Sequence, residues 1–182
     1  MINLQEIIDA LMMTLVVGYI FMQLINRRGK FEWNTFWFST AAIAPAIILH
    51  ELGHKITAIL FGYTAVFHAA YVWLGIGFFL AAMRSPIIFF VPAFVSITCQ
   101  SAACTQSQLA MPAIAFAGPF VNLLLFIAAL IVLKTHKQMS KKAFAFWHLT
   151  KLINMFLFIF NMLPIPGFDG SKVFAGLIQV IF

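Results

Sequence analysis

A chain of 182 residues that is 63% hydrophobic and only 9% charged, with a mean hydropathy of +1.01, is not a soluble domain, because such a domain carries about 25% charged residues. The 22 phenylalanines strengthen that exclusion. The net charge of +6 would suggest nucleic acid in a soluble protein, but here the basic residues sit mainly in short loops flanking apolar runs, so membrane topology accounts for them and no nucleic-acid partner is expected.

The expected fold is an all-α polytopic membrane protein, a single membrane-embedded domain over residues 1–182 with about five to six transmembrane or embedded segments. Leu4 to Ile25 has the length needed to cross ~30 Å of hydrocarbon. It opens with Glu6 and Asp9 instead of a basic segment, and no A-x-A-like site precedes Arg27-Arg28, so it reads as a retained transmembrane helix and not as a signal peptide. Asn26-Arg27-Arg28-Gly29-Lys30 stops it, and Trp33 and Trp37 suit a membrane interface. Phe36 to Phe61 is a second span, with Pro45 able to kink it and Gly62 placed to end it.

Residues 70–98 allow more than one reading. Tyr71 to Leu80 with Ala81-Ala82-Met83 is apolar and glycine-containing, Arg84-Ser85-Pro86 interrupts it, and Phe89 to Thr98 continues with β-favouring residues. One bent span, a re-entrant pair or an embedded β-hairpin would each fit, because non-helical backbone at membrane depth must be covered by protein or reached by water. Gln100 to Gln108 is a polar loop, and Cys99 just before it and Cys104 within it read first as unlinked thiols, with a disulfide or a second metal site as alternatives. Met111 to Leu133 is a further span, Lys134 to Lys142 a basic loop, and Ala143 to Leu163 another span. His148, Lys151, Asn154 and Asn161 recur along that last span at helical spacing, as an inward stripe would. Pro164 and Pro166 break it. A terminal helix from Ser171 to Phe182 would rise about 18 Å, too short to cross. The basic loops 26–35 and 134–142 assign one orientation and the position of the motif described next assigns the other.

Within the second span lies His50-Glu51-Leu52-Gly53-His54, an H-E-x-x-H pentapeptide. Residues i and i+4 share a helix face, so both imidazoles can meet one zinc ion, and Glu51 sits beside it as a general base would. A structural histidine pair is the bland alternative, but ionisable residues inside a membrane span are expensive and read as functional. A catalytic zinc site takes a third protein ligand and keeps one position open. The remaining acids are Glu6, Asp9, Glu32 and Asp169. Asp169 alone has an unusual context, after prolines that could turn its carboxylate back into the bundle. It could also cap a helix from Ser171, and the two roles are compatible. His68 and His136 read as interfacial, and His148 could support the site from behind.

Three motifs occur in order: His50 to His54, Gly118-Pro119-Phe120-Val121-Asn122 (G-P-x-x-N), and Asn161 to Gly170 (N-x-x-P-x-P-x-x-D-G). Together they resemble the site-2 protease family of intramembrane zinc metalloproteases. The resemblance implies one Zn2+ held by His50, His54 and Asp169, water activated by Glu51, and the reacting carbonyl positioned by Asn161. Asn122, Gly118 and Pro119 are expected in supporting, architectural roles. It further implies a substrate that is a membrane-anchored helix, paired as an added strand near Phe89 to Thr98, and residence as a multi-pass protein in the cell membrane if the source is prokaryotic. The PDZ or CBS domains of some members are not expected. Three rivals compete with this reading: a membrane metal transporter, a catalytically inactive helix-binding scaffold, and a prenylated-protein peptidase, whose third ligand would be Glu.

Overall fold

A computed structural model describes residues 3–26, 30–85, 91–99, 104 and 108–181. Features read on Arg27, Arg28 and Gly29, on Pro86, Phe89 and Phe90, on most of the 100–108 loop and on Phe182 lie outside the described residues. The elements run α1 (Leu4–Ile25), α2 (Trp33–Leu60), β1 (Thr64–Ala69), α3 (Tyr71–Ala82), β2 (Ala93–Thr98), α4 (Ala110–Thr135), α5 (Lys141–Asn161) and α6 (Asp169–Ile181). Helices α1, α2, α4 and α5 are long and apolar enough to cross a membrane. With 12 and 13 residues, α3 and α6 are shorter. The protein is thus a mostly helical integral membrane protein carrying one two-stranded sheet among its described residues.

Helix α2 stays continuous through Pro45. It ends where a left-handed residue can be accommodated: Gly62 has φ +82°, and its N–H and that of Tyr63 close on the carbonyls of Ile59 and Ala58 at 2.9 Å each. This pair of bonds is a Schellman stop, which glycine favours. The described residues of the ambiguous 70–98 region form helix α3 and strand β2, and strand β1 precedes them. Ala70 N–H donates to the Pro92 carbonyl, and Ser96 Oγ donates to the Val66 carbonyl, so β1 and β2 run antiparallel with α3 between them in sequence. Strand β1, residues 64–69, has no counterpart in the sequence reading.

Contacts divide the chain into two compact units, Met1–Ile48 with Phe67–Phe94, and Leu49–Val66 with Val95–Phe182. In the first, α1 packs against α3, and the Tyr19 and Phe78 rings lie 4.7 Å apart. The two acids of α1 are buried rather than placed at a polar end of the span. Glu6 forms a capping box with Asn3, and its second oxygen accepts the Phe67 N–H at 3.0 Å. Asp9 accepts the Ala69 N–H at 3.1 Å and the Tyr71 hydroxyl at 2.7 Å. Phe67 and Ala69 alternate with the residues that face β2, so the carboxylates occupy the place a third strand would take. Phe67 and Ala69 are buried, so their N–H groups need such partners. Asp9→Leu is therefore expected to lower stability by about 2–4 kcal/mol, through an orphaned amide and hydroxyl. Thermal unfolding in detergent measures this, and an unchanged melting temperature would contradict the assignment.

In the second unit, α4 packs against both α5 and α6. Ala58, Ala65 and Ile114 form a buried cluster with Phe61, Tyr63, Val95 and Ile97 against it. Cys99 and Cys104 correct the reading of unlinked thiols: they form a disulfide with Cα atoms 5.8 Å apart, tying the end of β2 to the following loop. Helix α5 is capped at its start by Ser140, whose Oγ accepts the Ala143 N–H.

Candidate metal centre

The site begins with the helical spacing of α2. One turn apart, His50 and His54 present their Nε2 atoms 3.1 Å from each other, with the rings nearly perpendicular. Both histidines and Glu51 are buried. The third member arrives through the proline-rich connection. Helix α5 ends at Asn161, and the Phe168 N–H then closes a turn on the Ile165 carbonyl with Pro166 and Gly167 at its centre. That Pro-Gly pair suits a type II turn. The turn delivers Asp169 as the first residue of α6, and its Oδ2 lies 3.2 Å from each imidazole Nε2.

This triangle fits a zinc ion. Tetrahedral coordination with zinc bonds of about 2.0–2.1 Å sets neighbouring ligand atoms about 3.3 Å apart, close to the observed 3.1–3.2 Å. The outer ring nitrogens give a second reason. His54 Nδ1 lies 2.7 Å from the Ile114 carbonyl and His50 Nδ1 lies 2.6 Å from Asn122 Oδ1. Both partners accept, so both Nδ1 atoms carry a proton, and a ring that holds no second proton turns a bare Nε2 lone pair inward. Two lone pairs and a carboxylate oxygen converging in a buried site repel one another unless a cation joins them. His50, His54 and Asp169 are the potential metal-binding group found among the described residues.

Glycine shapes the same point from α4. A Cβ built on Gly118 would stand 2.6 Å from His54 Cε1 and 2.8 Å from His50 Nε2, which is where the ligand atoms converge. Gly53, inside the pentapeptide, permits the matching approach from α2, since a Cβ there would meet the Ala117 carbonyl oxygen at 2.8 Å. Pro119 follows in α4 and has no N–H to give the Ala115 carbonyl. The helix bonding is thereby interrupted in the turn whose Ile114 carbonyl receives His54.

Of the residues singled out in the sequence, His50, His54 and Asp169 come together, and Glu51 lies within electrostatic reach of Asp169 and Lys172. Asn122 bonds His50 Nδ1, and the missing side chain of Gly118 leaves room beside both histidines. Asn161 is half-buried, and its carboxamide has no hydrogen-bond partner among the described residues. His148 stacks on Phe144 of its own helix, ring centroids 5.7 Å apart. His68 lies against Phe94, and His136 caps α4. The Ile114 carbonyl and Gly53 had no signal in a single sequence, one being a backbone atom and the other a variable position of the motif.

Residues 38–182 match the family model described as Peptidase family M50. The chain is also 32% identical over 172 residues to a protein of Methanocaldococcus jannaschii named "Putative zinc metalloprotease", an alignment covering 93% of this chain and 83% of that one. No solved structure gives a significant match. Most of the chain lies within the family match, and the three motifs sit on the residues that build the metal centre, so this protein belongs to peptidase family M50, the site-2 proteases.

Proposed function

We propose that the protein is a multi-pass intramembrane zinc metalloprotease, binding one zinc per chain and hydrolysing peptide bonds within or near transmembrane segments of membrane-anchored proteins. The observation that carries this reading is the convergence of His50 Nε2, His54 Nε2 and Asp169 Oδ2 beside buried Glu51, on a helix apolar enough to cross a membrane. Zinc held by His50, His54 and Asp169 would supply Lewis acidity and a nucleophilic water near neutral pH. Glu51 would act as general base toward the attacking water and as general acid toward the leaving amine. Asn161, with its carboxamide uncommitted, donates to the carbonyl oxygen as charge develops on it, an interaction strengthened where water is scarce.

A substrate helix hides its peptide groups in its own hydrogen bonds, so the scissile stretch must be drawn out as extended chain. Strand β2 offers the means. Glu6 and Asp9 already fill the outer side of β1, whereas β2 can pair with an added strand through its residues that point away from β1.

The test uses the full chain purified in detergent, with zinc quantified and cleavage of a membrane-anchored helical peptide followed. Chelation is expected to abolish cleavage and zinc to restore it. Cleavage that persists undiminished after metal removal would overturn the reading.

A further inference from the structure

Behind the metal ligands lies a chain of three hydrogen bonds, and its direction is set at the far end. The Thr150 carbonyl, in α5, receives Asn154 Nδ2 at 2.8 Å. A carbonyl can only accept, so the Asn154 carboxamide must turn its NH2 toward Thr150 and its oxygen the other way. That oxygen accepts Asn122 Nδ2 at 3.0 Å. The orientation of Asn122 is fixed in turn, its own oxygen facing His50 Nδ1 at 2.6 Å. Both asparagines have 0% exposure, so water cannot substitute for a misplaced partner.

We infer that Asn154 is a positioning residue for the metal centre: acting through Asn122, it holds His50 in the tautomer that turns a bare Nε2 toward the metal. This inference rests on the zinc reading above. Suppose Asn122 alone were reversed. Its NH2 would face His50 Nδ1, which must then accept, moving the ring proton to Nε2 and removing a metal ligand. Its oxygen would simultaneously oppose the Asn154 oxygen. Reversing both amides transfers the conflict to Thr150, oxygen against oxygen. Only one polarity satisfies all three links, and it is the one that leaves His50 able to bind metal. His54 needs no such chain, because the Ile114 carbonyl fixes it directly. Partners of this kind are worth 10–100-fold in metal affinity.

The experiment measures zinc affinity by competition in the full chain, and the visible spectrum with cobalt(II) in place of zinc. Thermal unfolding of the chelated protein serves as the fold control. Asn154→Leu, close in volume but unable to hydrogen-bond, is expected to weaken zinc roughly 10–100-fold. Asn154→Asp is expected to stay within about threefold of wild type, since a buried, protonated carboxyl presents the same donor and acceptor. Adding Asn122→Asp to Asn154→Leu should restore affinity and the tetrahedral cobalt bands, because a carboxylate accepts from His50 with either oxygen. A packing role alone predicts no such rescue. Wild-type affinity in Asn154→Leu, or no recovery in a folded double variant, overturns the inference. Should Asn154→Leu not fold, Asn154→Asp decides alone: zinc lost from the folded variant also overturns it. A wild-type chain that takes up no zinc instead refutes the metalloprotease reading, so the two failures are distinct.

Discussion

Glu51→Gln is expected to cut peptide-bond cleavage by roughly 10²–10⁴-fold, the usual contribution of a positioned general base, while zinc content stays at the wild-type level. Glutamine preserves the size of the side chain but cannot take up a proton. Glu51 is also absent from the converging ligand set, which His50, His54 and Asp169 complete without it. The substitution therefore separates chemistry from metal binding. A metal transporter built on the same ligands would continue to transport, and a helix-binding scaffold would continue to bind. Assaying zinc and cleavage on the same preparation reads both halves at once. Full cleavage by the variant would remove Glu51 from the mechanism.

The parts legible in the sequence are those whose physics is local. Apolar length marked α1, α2, α4 and α5, and the helical spacing of His50 and His54 placed both rings on one face before any partner was known. Asp169 was legible by elimination and by its prolines, which cannot continue a helix. What escaped notice depends on pairings distant in sequence. Strand β1 is only six residues, and its edge is completed by carboxylates 60 and 61 positions away, in α1. In the sequence Glu6 and Asp9 are only acids at the opening of a span, whereas in the structure they bond the outer edge of β1. The link from Asn122 to His50 spans 72 residues, and Asn122 to Asn154 a further 32. Asn154 was visible as one polar residue in an apolar helix, but nothing in the spacing of α5 indicates which histidine it serves. The disulfide was undecided for a related reason: spacing alone does not distinguish paired cysteines from free ones.

Gly118→Ala tests the geometry of the metal centre most severely, because it adds a single methyl group at the point where the ligands converge. The new Cβ would stand 2.6 and 2.8 Å from atoms of His54 and His50, well inside the 3.5–4.0 Å of ordinary carbon contact. Those atoms are the far ends of side chains, so in the metal-free protein the rings can swing aside. The helix itself should not suffer, since alanine is preferred over glycine in a helix interior by about 0.8–1.0 kcal/mol. Zinc has no such escape, because moving the rings breaks the triangle they form with Asp169. The expected result is a variant that folds without metal but binds zinc at least ~10³-fold more weakly, about 4 kcal/mol, and loses cleavage in proportion. Circular dichroism of the chelated protein and zinc competition measure the two sides separately. Wild-type zinc affinity in Gly118→Ala would mean that the ion does not sit at the point shared by His50, His54 and Asp169. A variant that cannot fold even without metal would instead show that Gly118 serves the approach of α4 to α2 more than the space for the ion.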